Sequence, residues 1–141
     1  MPKADTRKVR EPNDRVIVHL YFSEFKHESR AMRAIEAVLE AGIADRVEAL
    51  AYKTDDTPAF EQVTDAFAIR RYAVDVPFPL PRMIGRGIAW LLWSFLVIRS
   101  IYKNPPVLVH FHAVAALPAA AIAKWLSGTK ILYNSHDLET E

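Results

Sequence analysis

The chain has 141 residues, 51% of them hydrophobic, and its 18 basic and 17 acidic side chains leave a formal charge of +1. That length suits one compact domain with a real core, and near-neutrality provides no global field for nucleic acid or for an acidic partner. With no cysteine, disulfides, thiol catalysis and Cys-ligated zinc are excluded.

Residues 1–14, MPKADTRKVREPND, are charged and lack the apolar core of a secretory signal. They read as a disordered, solvated tail, with a cytoplasmic location as the default. Residues 15–141 then read as one domain. RVIVHLYF at 15–22 is β-branched and aromatic and predicts a buried strand. In ESRAMRAIEAVLEAG, Ala31, Ile35, Val38 and Leu39 recur at helical spacing, Arg30, Arg33, Glu36 and Glu40 cover the other face, and Gly42 supplies the stop. RVEALAY suits a second strand and FAIRRYAV a third, beyond a polar connection containing KTDDTP. Pro77, Pro79 and Pro81 make VPFPLP an extended connector.

The run RMIGRGIAWLLWSFLVIRSIYKN has no charge between Gly87 and Ile98 and carries Arg82, Arg86, Arg99 and Lys103 on its flanks. That uncharged stretch is shorter than the ~20 apolar residues that a membrane span needs. Two dispositions stay open: a long helix packed on a sheet, or a helix at a membrane surface with Trp90, Trp93 and Phe95 against lipid and the cations on phosphates. PPVLVHFHA then predicts an apolar strand. LPAAAIAKWLSG predicts a helix with Pro118 in its first turn and Gly128 after its last, and KILYN a final apolar strand. Alternating strands and helices, with the strands apolar on both faces, argue for a doubly wound, Rossmann-like parallel sheet of the α/β class.

Ligands of such sheets bind outside the carboxyl ends of the strands. His27 follows the first strand, His112 ends VLVHFH and His136 follows ILYNS, so three segments deliver imidazoles to one rim. His110 and His112 form an H-x-H pair on one strand face, but zinc needs a further ligand and its supporting partners, so no metal is expected. The loop FSEFKHES has no glycine, which removes both the dinucleotide fingerprint and the P-loop. Lys26, His27, Ser29 and Arg30 still offer a cationic mouth at a helix N-terminus.

Taken together, HESRAMRAIEAVLEAG, the V-H-x-H strand, the small-residue helix with L-P-A-x-x-x-A, and the strand closing in S-H-[DE]-L resemble the N-terminal, acceptor-side domain of GT-B fold glycosyltransferases. The similarity is to the family-4-like retaining enzymes. The resemblance implies an incomplete Rossmann-like domain that meets a missing C-terminal donor-binding domain across a cleft. There a sugar passes, with retention, from a nucleotide-diphosphate sugar to a saccharide or lipid-linked acceptor. That sugar is a co-substrate; no cofactor and no metal are implied. By the same resemblance His112 is the catalytic cleft histidine, His136 and Asp137 line the acceptor side, and His27, Ser29 and Arg30 lie near the donor diphosphate. The first loop departs from the family pattern in lacking its Gly-Gly. A fragment of this kind is expected to be inactive alone, and relatives with lipid-linked acceptors attach to the inner face of the membrane through this domain. The candidates here are Arg82, Arg86, Trp90, Trp93, Arg99 and Lys103. Two other readings stand beside it: a stand-alone α/β binding module at a membrane surface or with a protein partner, and a metal-dependent hydrolase built on His110, His112 and Asp137.

Overall fold

The computed structural model describes residues 15–22, 25, 29–74, 79–111 and 114–133. In chain order the elements are β1 (Val16–Leu20), α1 (Ser29–Glu40), β2 (Arg46–Tyr52), β3 (Phe60–Gln62), β4 (Phe67–Tyr72), α2 (Arg82–Lys103) and β5 (Leu108–Phe111). A 3-10 turn (Val114–Ala116), α3 (Leu117–Ser127) and β6 (Lys130–Tyr133) complete them. The expected tail at 1–14 lies outside the described residues.

One six-stranded sheet runs in the order β3-β4-β2-β1-β5-β6. Every pairing is parallel except β3 with β4. β1 sits between β2 and β5 and is buried along its whole length, as a central strand covered on both faces must be. Helices lie on both faces. Even-numbered residues of β1 (Val16, Val18, Leu20) join Trp93, Val97 and Ile101 of α2 and Ala120 and Ala123 of α3 in one core. Ile17 and Tyr21 join Ile35 of α1, Val47, Phe67 and Ile69 in the other. The period-2 alternation of the strand therefore assigns each side chain to a layer, and the doubly wound α/β reading holds.

Helix ends follow local chemistry. Pro118 sits in the first turn of α3, where a missing N–H costs nothing. Gly128 closes α3 in the left-handed region at φ 70°, with its N–H donated to the Lys124 carbonyl at 2.8 Å, a conformation that glycine adopts without penalty. On α2, Ala89, Trp93, Val97 and Ile101 recur every four residues and face the sheet. The long apolar run is thus a helix packed on the sheet.

Two features differ from the sequence expectation. β3 is a three-residue antiparallel edge strand with every residue exposed; without an apolar face it leaves no periodic signal, and only its pairing with β4 orders it. β6, expected to be apolar on both faces, forms the other edge among the described residues, and its Leu132 and Tyr133 are exposed.

Candidate functional site at the carboxyl edge of the sheet

Strand order reverses at β1: the chain builds outward through β2 and β4, then crosses by way of α2 to β5 on the other side. The crevice at such a switch point is where open α/β sheets take their ligands. Leu20 is in register with Phe111, and Phe111 with Tyr133, so β1, β5 and β6 end in one row. These three neighbouring strands lead to the segments with His27, His112 and His136–Asp137. Those four residues lie outside the described residues, as do residues 23–24 and 26–28 of the first loop.

Aromatic rings floor the row. On the α2 side Phe22 packs edge-on against Trp93 at 5.2 Å between centroids and against Tyr52 at 5.7 Å. On the α1 side Phe25 meets Tyr21 at 4.6 Å and Phe67 at 6.2 Å. Phe111 stacks on Tyr133 at 5.0 Å. His19 and His110, in register across β1 and β5, approach at 4.7 Å between ring centroids. Among the described residues no three His, Cys, Asp or Glu side chains converge as a metal would require.

Two residues that sequence reasoning missed anchor the first loop. Phe25 is buried although it lies in a polar loop, and its φ of 52° places a bulky residue in the left-handed region, a strained conformation that persists only where surroundings impose it. Arg71 of β4 is among those surroundings. Its side chain is 3% exposed. It donates from Nη1 to the Pro58 carbonyl at 3.2 Å and to Glu61 Oε2 at 3.0 Å, and from Nη2 to the Phe25 carbonyl at 3.4 Å. The sequence signals were an arginine inside the apolar FAIRRY and a second phenylalanine in FSEF, because a buried charge must find partners.

Ser29 and Arg30 begin α1 and are exposed. Arg33 donates from Nε to the Ser29 carbonyl at 3.4 Å. Arg82, Arg86, Arg99 and Lys103 are exposed along α2, as a surface role requires. Of the two tryptophans expected beside them, Trp93 is corrected. Trp93 is wholly buried and donates its indole N–H to the Ala51 carbonyl at 3.0 Å, because a ring facing the sheet buries its area and finds its acceptor there. Trp90 is half-buried and donates its indole N–H to the Ala115 carbonyl at 2.7 Å. It braces the turn by which the chain re-enters after His112.

These elements define the class: a Rossmann-like α/β domain whose strand order reverses at β1. No family model matches the chain, and no curated protein matches it. Among solved structures it is similar to a UGT transferase from Siraitia grosvenorii in complex with UDP, with a TM-score of 0.56 and 16% identity over 84% of this chain. The match spans 27% of that protein's length. At this identity the likeness is one of fold alone.

Proposed function

We propose that the chain is the acceptor-side part of a GT-B glycosyltransferase of the retaining, family-4-like kind, moving a sugar from a nucleotide-diphosphate sugar to a saccharide or lipid-linked acceptor at the cytoplasmic face of a membrane. The observation that carries the reading is the row Leu20, Phe111 and Tyr133. Adjacent strands end together there, and each leads into a segment holding an imidazole. The fold likeness to a UDP-binding transferase supports it.

In this reading His112, the residue after β5, meets the sugar and the acceptor in the cleft. His136 and Asp137 hold acceptor hydroxyls. Ser29 and Arg30, together with His27, stand near the donor diphosphate, where free N–H groups at a helix N-terminus and a guanidinium favour negative charge. Phe25 and Arg71 position the first loop, and Trp90 positions the segment after His112. The nucleotide belongs to a second lobe outside residues 1–141, facing this edge of the sheet.

The test is His112→Ala in the protein that includes both lobes. Transfer from the nucleotide sugar is expected to fall on the order of a hundredfold or more in kcat/KM, with the far-ultraviolet dichroism unchanged. Full activity in that variant removes His112 from the mechanism.

A further inference from the structure

The cations of α2 point to different sides. Arg99 faces away from the sheet. Arg86 and Arg82 precede Trp93 by about two and about three turns, so they continue the stripe of Ala89, Trp93 and Val97 that packs on the sheet. That stripe is buried at Ala89 but exposed at Arg86 and Arg82, because the sheet has ended beneath them. Trp93 fixes the level: its indole N–H reaches the carbonyl of Ala51, next to last in β2. With a rise of about 1.5 Å per residue, Arg86 and Arg82 leave the helix roughly 10 and roughly 16 Å beyond that level, past the carboxyl ends of the strands. Helical side chains lean further toward the N-terminus. The direction of Arg86 falls between those of Trp90 and Trp93. Trp93 touches Phe22 and β2, and Trp90 the turn after β5. Arg86 therefore overhangs the end of β1, the strand between β2 and β5.

Below the arginines lies a row of rings. Tyr72 and Tyr52 are in register at the ends of β4 and β2, and Phe22 stands just past β1. All three are half-buried on the α2 side of the sheet. Neither arginine is neutralised: among the described residues no carboxylate pairs with Arg82 or Arg86, and the sequence has no acid from residue 76 to residue 136. Both cations fall within the first five residues of α2, where they oppose the positive end of the helix dipole. The fold gains nothing from guanidiniums placed there, whereas an anion in the crevice would satisfy them. Aromatic walls with a few convergent charges are the usual form of a small-molecule site.

We propose that Arg82 and Arg86 hold the phosphate of a phosphorylated saccharide in this crevice, with its sugar ring laid on Tyr52 and Tyr72. Two guanidiniums one turn apart match a phosphate, whose oxygens accept the paired donors of each planar fork and whose charge balances both cations. The inference rests on the acceptor-side reading above and names the acceptor as phosphorylated. It moves Arg82 and Arg86 from the outer surface into the site.

The experiment titrates the isotope-labelled chain, followed by NMR, with glucosyl, galactosyl and mannosyl phosphates, the free sugars, inorganic phosphate and UDP. Sugar phosphates are expected to shift the Nε–H signals of Arg82 and Arg86 and to bind on the order of tenfold tighter than the free sugars, or more. Arg82→Gln with Arg86→Gln should abolish that gain while keeping or raising the melting temperature, since the positive end of α2 loses unfavourable charge. Arg99→Gln, on the outer side, should leave the affinity unchanged. Tyr72→Leu should weaken the sugar phosphates and spare inorganic phosphate. An octyl ester on the phosphate separates two sources that both support the site: tighter binding of the ester marks a lipid-linked saccharide, equal binding a soluble one. Equal affinity for phosphorylated and free sugars overturns the proposal. So does an effect of Arg99→Gln as large as that of the crevice pair, or a preference for UDP, which would assign the arginines to the donor. Failure of the transferase reading has another signature: sugar phosphates bind through Arg86, yet the protein with both lobes transfers nothing to them.

Discussion

Trp93 and Trp125 show how one residue type takes opposite roles in neighbouring helices. Trp93 fills the space between β2 and α2 with its N–H satisfied by Ala51, so Trp93→Ala leaves a cavity and loses that hydrogen bond. The expected loss is about 3–5 kcal/mol, read from urea or thermal unfolding. Trp125→Ala, at a position 84% exposed, should change stability by no more than about 0.5 kcal/mol. A reversed order of the two effects would contradict the packing described for α2. A second residue-scale case is the pair Arg15–Asp45, which ties the entry of β1 to the entry of β2. Arg15 donates to Asp45 from its backbone N–H at 2.9 Å, from Nε at 3.2 Å and from Nη2 at 3.2 Å. These bonds, the side-chain ones first and the backbone one next, hold the Asp45 carboxyl below its ordinary range, and Arg15 is raised in turn. A carboxyl lowered in the folded state binds fewer protons there than in the unfolded chain, so its contribution is complete above the ordinary carboxylate range and disappears as pH falls through the lowered value. Asp45→Asn should therefore flatten the acid limb of the stability profile at low salt. The difference should shrink at high salt, since the pair is exposed.

At the scale of elements, Arg71 joins pieces that are far apart in sequence: β4, the edge strand β3 through Glu61, and the first loop through Phe25. Arg71→Met keeps the length and apolar stem of the side chain but removes the donors. It should cost about 1–3 kcal/mol and should selectively accelerate amide exchange in β3, whose own exposed side chains contribute little. Unchanged protection of Phe60 and Glu61 would show that β3 holds by its backbone pairing alone. α2 teaches a related lesson. Its boundaries and its flanking cations follow from the sequence, because a helix is a local pattern with a period that can be read. Which of its apolar stripes is inner was not legible, since Trp93 and Phe95 are alike in composition and differ only in the neighbour they meet.

For the whole molecule, the proposed function makes the described residues one face of a cleft. The reading proposed here places the donor site in a second lobe, so residues 1–141 alone are expected to transfer no sugar from any nucleotide-diphosphate sugar, measured with labelled donor and a panel of acceptors. Turnover by this chain at an ordinary enzymatic rate would refute the half-cleft. The strand ends of the candidate site were legible, because strand ends are local features, while His27, His112 and His136 themselves lie outside the described residues. The anchoring of the site was not legible: Phe25 with Arg71, and Trp90 with Ala115, are pairs separated in the chain and joined only by folding.

The sequence alone determined the alternation of strand and helix, the apolar centres of β1, β2, β4 and β5, the span of α2 and the glycine that stops α3. Each of these depends on side chains within a few residues of one another. Only the tertiary structure decided that β5 lies beside β1, that β3 and β6 are edges among the described residues, that Trp93 is core, and that the cationic helices share one face. Strand order and layer assignment come from contacts between distant segments competing for the same buried area, and no local pattern carries that information.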